Sequence, residues 1–577
     1  MGHGHALRPQ GGPRDHAAVL EQQDRPHDLR PEALQLAGHG GCVHPVREAR
    51  RVLARGRDLA RAALAHAGQV PRHVRGHPGR RGPLSPPPQA AAAGAGPPPA
   101  PASAAAPAPA PATRTETTHG LPWRAAGLVL ATAVLASLWF APTHDSPAAR
   151  HAIAIAAFMI VLWITEAVSH AAAGCVGLVL FLALGVAGPG AVLSGFRSST
   201  TWFLLAALVI GAMASRTGLA QRLARAAILA VGTTYARLLL GFIVADFALT
   251  FLVPSGIARV TILASIAFGV IEAFGVGPRS NVGRGLLIII TYAAGIFDKM
   301  VIAGATSILA RGIIHQVAQV PVLYSQWFLA YLPCDVLTIL VFWRVVLWLY
   351  PPEKPSMDGA AWASAVGPAR PWSTAEKKAA TLMAIAMVLW LTDFVHHIDP
   401  AWIGIGVAVV SLAPGLGVLK PTDLRRLNYG AVVFTAAALS MSAILTQTRG
   451  LDVLTHALFG GVGPLLGGPA RSALTLYWSG FFYHFFLASE TAMLSTSLPV
   501  VLALARAHGL DALAAGMIWT FAAGGKVFVY QSGVLLVGYS YGYFDTRDML
   551  KVGAILTVLE CVILLLLVSL YWPLLGI

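Results

Sequence analysis

Charged residues are scarce in this chain. Only 12% of its 577 residues are Asp, Glu, Lys or Arg, and 56% are hydrophobic. Soluble domains carry about 25% charged residues, so this composition excludes an ordinary soluble protein. It indicates a membrane protein instead, because each helix that crosses the bilayer core needs roughly 20 apolar residues.

Cysteine and the usual enzyme motifs are also in short supply. The four cysteines are scattered, with no CxxC or Cys/His ligand spacing, which excludes a disulfide framework and a zinc site. The HExxH motif of metalloproteases is absent, and VYQSGV has no visible base as partner. We therefore predict no enzyme, no catalytic residues and no cofactor other than sodium ions.

The net charge of +15 does not indicate a nucleic-acid partner. Much of it lies in the first 120 residues, and most of the rest in short basic loops such as 216–225, which are typical of the cytoplasmic face. Residues 1–118 contain a Pro/Ala run, 86–112, and few large apolar residues. They predict a disordered basic leader, although a start codon assigned too early would also produce one.

Long apolar runs recur from residue 122 onward, among them WRAAGLVLATAVLASLWFA and VGAILTVLECVILLLLVSLYW. They predict an all-α polytopic membrane protein with about eleven transmembrane helices and two shorter re-entrant segments. We assign residues 119–355 to a first repeat with its preceding helices, 356–376 to a linker, and 377–577 to a second repeat.

The evidence for a duplication is a set of blocks that return in order. FLLAALVIGA (203–212) returns as FTAAALSMSA (434–443), and TYAAG (291–295) returns as TFAAG (520–524). The dipeptide GL and the Ser-x-x-Ala of PSGIA and SETA recur between them at nearly constant spacing. Any one block could be chance in Ala/Leu-rich sequence, but four in order favour duplication.

The glycines in these blocks predict broken helices. TFAAGG and QSG supply Gly524 and Gly533, whose counterparts in the first repeat are Gly295 and Gly304. Unwound backbone at membrane depth is tolerated only where it lines a cavity or is buried in protein. Secondary transporters place substrate at such breaks, between two repeats, so the pattern predicts a transporter.

Several segments resemble landmarks of the divalent anion/sodium symporters, which carry dicarboxylates, citrate or sulfate. They include WITEAVSHAAAG (163–174), with Ser169 where that family usually has proline, together with FLVPSGIARVTIL, QWFLAYLP, YPPE and GYFDTRDMLKVG. The resemblance covers about residues 122–577. It implies two inverted repeats with re-entrant hairpins, a homodimer, an elevator-type movement, and a structural or interfacial role for Glu166.

That family's signature is one Ser-Asn-Thr motif per repeat, which holds substrate carboxylates and helps to ligate sodium. The corresponding residues here read Ser-Gly-Ile and Ser-Glu-Thr, so both asparagines are missing. The resemblance implies a substrate site at Ser255, Gly256, Ile257, Ser489, Glu490, Thr491, Gly304, Ser532 and Gly533. It implies sodium positions at Ser255, Gly304, Ser489 and Ser532, which the lost side-chain oxygens put in question.

Lys526 and Glu490 fall on the inferred binding elements of the second repeat. Lys526 could replace sodium as the cation that binds the dianion, and Glu490 would then be paired or protonated. The alternative is a buried pair that only holds the break together. On the first interpretation we add Lys526 to the substrate site, and we expect weak sodium dependence, with anion exchange or proton coupling in its place.

Other charged groups within the apolar segments are costly and therefore functional candidates. Arg259 could face the anion or anchor its helix, and Asp246 could bind an ion or pair with an arginine. Asp298 and Lys299 could form a local pair, or Lys299 could face the anion. His484 is expected to be a hydrogen-bonded core histidine, with proton coupling as the alternative.

Taken together, these features predict a secondary active transporter of divalent organic anions such as succinate or malate, in the inner (plasma) membrane. The expected partners are a small dianion, the lipid bilayer and a second copy of the chain. A sulfate or other inorganic-anion symporter and an anion-binding paralogue that does not transport remain open alternatives. The sequence does not identify which anion is carried.

Overall fold

The computed structural model describes residues 121–142, 146–302, 304–357, 371–459, 461–487 and 489–577. The predicted leader, 1–118, and most of the predicted linker lie outside them. Within these ranges the chain is helical, with one isolated β-bridge between Thr234 and Ser356 and no named strand. The first twelve α-helices are α1 Leu121–Trp139, α2 Pro147–Thr165, α3 His170–Ala183, α4 Pro189–Val192, α5 Ser194–Arg197, α6 Ser199–Thr217, α7 Leu219–Val231, α8 Tyr235–Thr250, α9 Gly256–Ala273, α10 Asn281–Met300, α11 Ala305–Ile313 and α12 Tyr324–Leu349.

The second half of the described chain continues in the same way. Short 3₁₀ turns occur at Pro421–Arg426, Gly463–Leu465, Val529–Gln531 and Trp572–Leu575, and a π-turn at Ile314–Ala318 extends α11. The remaining helices are α13 Thr374–Leu391, α14 Asp393–His396, α15 Pro400–Leu412, α16 Tyr429–Gln447, α17 Gly450–Phe459, α18 Pro469–His484, α19 Glu490–Ala507, α20 Ala512–Ala522, α21 Gly533–Ser540 and α22 Thr546–Leu570.

The helices have the length and composition of membrane spans. In the described ranges, eight stretches are long and apolar enough to cross a bilayer, and α3, α15 and α20 are shorter apolar helices. Large apolar side chains lie exposed on their outer faces, for example Val129 of α1 and Val409 of α15, as expected where lipid replaces water. The predicted all-α, multi-pass membrane architecture is confirmed.

The order of elements repeats along the chain. The duplicated blocks occupy matching places, since FLLAALVIGA lies in α6 and FTAAALSMSA in α16, and each GL opens the following helix, α7 or α17. Gly218, with φ 82°, lies in the left-handed region that glycine tolerates best and turns α6 into α7. Helices α6–α12 and α16–α22 therefore correspond one to one in sequence order.

Each half contains a helix pair separated by a break. In the second half α20 ends at Ala522, and α21 begins at Gly533, so TFAAGG ends a helix as predicted. In the first half α10 continues through TYAAG to Met300, and the prediction that Gly295 interrupts the helix is wrong. A Cβ on Gly295 would lie 3.1 Å from Nζ of Lys526. The missing side chain therefore lets Lys526 approach α10 closely and does not break the helix.

Candidate functional site

The Lys526 ammonium is the centre of a small polar cluster in the second break. Nζ of Lys526 lies 2.6 Å from Oε1 of Glu490, and both side chains are almost fully buried. The hydroxyl of Ser532 donates to the same Glu490 oxygen at 3.1 Å. Because Glu490 is the first residue of α19, its carboxylate also lies at the positive end of that helix.

Three helix N-termini approach this cluster, and each has a predicted serine as its cap. Ser255, Ser489 and Ser532 accept hydrogen bonds from backbone N–H groups of α9, α19 and α21 at 3.3, 3.5 and 3.2 Å. A Cβ on Gly533 would lie 3.1 Å from Cδ1 of Ile257, so the starts of α9 and α21 are in contact. Free N–H groups at such termini favour anions.

A small cavity, with room for about one water molecule, opens beside Lys526. Both halves of the chain form its walls. Helix α10 of the first half supplies one wall, and the second break with α21 and α22 supplies the other. Ser255 and Ser489 do not line it. The lining residues are Thr291, Tyr292, Gly295, Ile296, Gly524, Lys526, Ser532, Val534, Leu535 and Leu556.

The first half contains a buried cation of its own. Arg259 lies buried on α9, with Nε 3.0 Å from Oδ1 of Asp246 and Nη1 2.8 Å from Oδ1 of Asp298. It also donates to the carbonyl oxygens of Val253 and Ala294, at 3.2 and 2.6 Å. Because these guanidinium N–H groups already bind oxygens of the protein, they support the prediction that Arg259 anchors its helix. Asp246 pairs with an arginine, which was one of its two predicted roles.

Some of the predicted sodium positions lie near Arg259 and its partners, and others lie near Lys526 and Glu490. Gly304 is the N-cap of α11, and a Cβ there would lie 3.4 Å from Oδ1 of Asp298. Ser532 contacts Glu490 as described above. The hydroxyls of Ser489 and Thr491 lie 2.8 Å apart. In the described ranges no group of three or more His, Cys, Asp or Glu side chains could hold a metal ion.

Lys299 does not pair with its neighbour Asp298, nor does it line the cavity. Its Nζ lies 3.7 Å from Oε1 of Glu560 on α22 and 4.5 Å from the centre of the Phe521 ring. The predicted local pair between Asp298 and Lys299 does not form, because their side chains extend from α10 to different neighbours, α9 and α22. Sequence reasoning missed Glu560, although a carboxylate inside VLECVILLLL was a visible signal.

A second residue that sequence reasoning missed is Gln531. Its Oε1 accepts hydrogen bonds from the backbone N–H groups of Val527 and Phe528, each at 2.8 Å, and so fixes the loop that follows Lys526. Its carbonyl oxygen lies 3.2 Å from Nε2 of His484. His484 is thus the hydrogen-bonded core histidine that the sequence predicted.

Comparison with known proteins identifies the family of most of the chain. A family model described as the sodium:sulfate symporter transmembrane region matches residues 123–577. A Cupriavidus necator protein, named only as a membrane protein, is 29% identical over 488 residues, covering 78% of this chain and 93% of that protein. The citrate/succinate antiporter of Escherichia coli K12 is 25% identical over 402 residues, covering 67% of this chain and 80% of the antiporter.

Two further proteins are similar to the chain. The L-tartrate/succinate antiporter of Escherichia coli K12 is 26% identical over 406 residues, covering 66% of this chain and 80% of that protein. Among solved structures, the YdaH transporter of Alcanivorax borkumensis matches with a TM-score of 0.46 and 12% identity, covering 64% of this chain and 86% of that chain.

Proposed function

The chain belongs to the family described as the sodium:sulfate symporter transmembrane region, and from that premise we propose that it exchanges dicarboxylates across the inner membrane with little dependence on sodium. The family and the named relatives are transporters, so the chain is a multi-pass membrane transporter and not an enzyme. The observation that carries the proposal is the buried Lys526–Glu490 pair beside a cavity shared by the two halves.

The substrate class follows from the charges that the site offers. One ammonium and the N-termini of α9, α19 and α21 provide positive potential for two carboxylates. Two relatives are named for citrate, tartrate and succinate, which supports a small dicarboxylate here as well. In this proposal Lys526 and Ser532 hold one carboxylate, and the other reaches the N-termini that begin at Gly256 and Glu490 when the site opens beyond the present cavity.

Binding would change the partner of Lys526. In the empty site its ammonium neutralises Glu490, and an incoming carboxylate competes for the same 2.6 Å contact. Glu490 then keeps the Ser532 hydroxyl and the α19 N-terminus, or takes up a proton. The internal pair leaves the empty site neutral, whereas a bound dianion leaves net negative charge that the helix N-termini and a proton on Glu490 would offset in part. We propose exchange because two relatives are named as antiporters.

Weak sodium dependence is proposed from what occupies the predicted sodium positions. Arg259 lies against Asp298, near Gly304, and Lys526 lies against Glu490 and Ser532. Each fixed cation would repel a sodium ion beside it, and it already pairs with the nearby carboxylates that would otherwise attract sodium. The substitute cations support exchange over sodium symport.

For the movement itself we propose that α8–α12 and α18–α22 carry the site past the other helices, within a homodimer. Gln316 tests this, because its side-chain amide donates to the carbonyl oxygen of Leu439 on α16 at 3.1 Å, across the proposed sliding surface. Joining Gln316→Cys and Leu439→Cys with a short reversible reagent should stop exchange, and reduction should restore it. Unchanged turnover with the link in place would contradict the movement.

The function is tested with purified protein in liposomes. Labelled succinate, citrate, tartrate and sulfate are supplied outside, with unlabelled succinate inside or absent. We expect uptake of dicarboxylates that requires internal anion and little uptake of sulfate. Sulfate uptake that exceeds succinate uptake would favour an inorganic-anion symporter, and binding without any uptake would indicate a paralogue that does not transport.

A further inference from the structure

A second polar cluster lies beside the proposed substrate site, buried between α10, α12 and α22. It consists of Lys299, Asp335 and Glu560, whose exposed fractions are 1%, 0% and 0%. Nζ of Lys299 lies 3.7 Å from Oε1 of Glu560, and Asp335 lies on α12, which packs against both α10 and α22. Both carboxylate oxygens of Asp335, both of Glu560 and Nζ of Lys299 have no hydrogen-bond partner in the described ranges.

The charges of this cluster do not balance. One ammonium faces two carboxylates, and the nearby Lys526–Glu490 pair is already neutral in itself. An unpaired charge buried in a membrane interior costs several kcal/mol and is normally removed by protonation. Sodium is a poor alternative, because it would have to enter beside the Lys299 ammonium.

We propose that Asp335 and Glu560 share one bound proton, which makes the Lys299 cluster neutral and allows it to couple proton movement to the anion. The proton comes from water and adds to a carboxylate oxygen, so that one carboxylic acid and one carboxylate face the ammonium. The extra hydrogen also provides a donor for one of the four oxygens that lack one.

The surroundings of the cluster are consistent with one titrating proton. From α8 and α14, Asp246 is paired with Arg259, and Asp393 accepts from the backbone N–H of Tyr324. The titratable and charged groups near the cluster are Tyr292 of α10, Tyr331 and Cys334 of α12, Tyr477 and His484 of α18, Glu490 of α19, and Lys526.

Coupling to the substrate follows from proximity. A Cβ on Gly524, a residue that lines the cavity, would overlap Nζ of Lys299, which in turn lies 3.7 Å from Glu560. A dianion at Lys526 adds negative potential, which favours proton uptake by the cluster. The deprotonated cluster carries a net negative charge and opposes the dianion, so anion and proton bind together. This coupling rests on the proposed dicarboxylate exchange.

Infrared spectroscopy of the purified full chain tests the proton without any transport. The unmodified protein should show the C=O stretch of a protonated carboxyl group at neutral pH. Asp335→Asn and Glu560→Gln should each remove that band, because either leaves one carboxylate for one ammonium. Asp452→Asn, at an exposed carboxyl on α17, should leave it unchanged. No band in the unmodified protein would overturn the proposal, whether or not the variants fold.

Transport in liposomes tests the coupling separately. Succinate exchange by the unmodified protein should fall as pH rises, by up to about tenfold per pH unit once the proton dissociates, and Glu560→Gln should make it independent of pH. Exchange that is active but flat with pH would overturn the coupling and leave the dicarboxylate proposal intact. If no dicarboxylate is exchanged, the proposed function fails, the coupling falls with it, and the infrared result still decides the bound proton.

Discussion

Oε1 of Glu490 lies 2.6 Å from Nζ of Lys526 and 3.1 Å from Oγ of Ser532, and this is the place where, on the proposed function, a substrate oxygen would bind. Glu490 is the first residue of α19 and cannot leave the site. The protein therefore contains its own competitor for the anion. Substitutions that remove the cation and substitutions that remove the competitor should have different effects on anion binding.

Lys526→Ala should abolish succinate binding, with affinity reduced by more than about tenfold, or ~1.4 kcal/mol. The ammonium is the one basic side chain that lines the described cavity. Equilibrium binding of labelled succinate measures the effect, and Lys551→Ala, at an exposed lysine on α22, is the matched control.

The same variant leaves Glu490 buried without its cation, which costs about 3–5 kcal/mol of stability. Lys526→Ala combined with Glu490→Gln removes that cost, so its thermal midpoint should recover while succinate binding stays absent. Recovered binding in the double variant would show that Lys526 acts only through stability.

Glu490→Asn should be tolerated and should raise the dependence of uptake on sodium. The change removes the internal competitor and introduces the asparagine that the Ser-Asn-Thr signature has at this position. Uptake at several sodium concentrations, with choline as replacement, measures it. A folded but inactive variant in both salts would show that the Glu490 carboxylate is itself required.

The sequence predicted the class, the helices and the repeated serines, because each of these depends on local pattern. Lys526 and Glu490 were paired correctly because both lie on blocks that the duplication identifies. The course of α10 through Gly295 was not predictable, since a glycine that ends a helix and one that admits a neighbouring side chain look alike in sequence. The meeting of Lys299 with Glu560 depends on how α10 and α22 pack, which no local pattern encodes.

Gly524→Ala should destabilise the protein by about 1–3 kcal/mol, the usual cost of overpacking. The added methyl group would overlap the Lys299 ammonium, which is buried against Glu560 and has little room to move. Gly277→Ala is the matched control, because a Cβ there meets nothing within 4 Å. Equal thermal midpoints for the two variants would contradict this close approach.

Asp545 should make stability sensitive to acid. Its carboxylate caps α22 by accepting the backbone N–H groups of Asp548 and Arg547, at 3.0 and 2.9 Å, and these hydrogen bonds lower the pKa of Asp545. A lowered folded-state pKa contributes stability that is present above the unfolded pKa of about 3.9 and is lost as pH falls through the folded value.

Two substitutions distinguish the hydrogen bonds that cap α22 from the charge of the Asp545 carboxylate. Asp545→Asn keeps an acceptor, so it should preserve most of the neutral-pH stability and flatten the acid dependence. Asp545→Ala should cost about 1 kcal/mol at neutral pH, as other lost caps do. Thermal midpoints between about pH 3 and 7 measure both, and an equally steep acid loss in Asp545→Asn would assign the effect to another group.

The central claim is that Lys526, and not sodium, supplies the charge that binds the anion. It is tested most directly by the initial rate of labelled succinate uptake into liposomes loaded with succinate, as external sodium is replaced by choline. The account predicts a rate that changes little without sodium and that is lost in Lys526→Ala. A rate that rises steeply with sodium in the unmodified protein, together with full activity in Lys526→Ala, would contradict it.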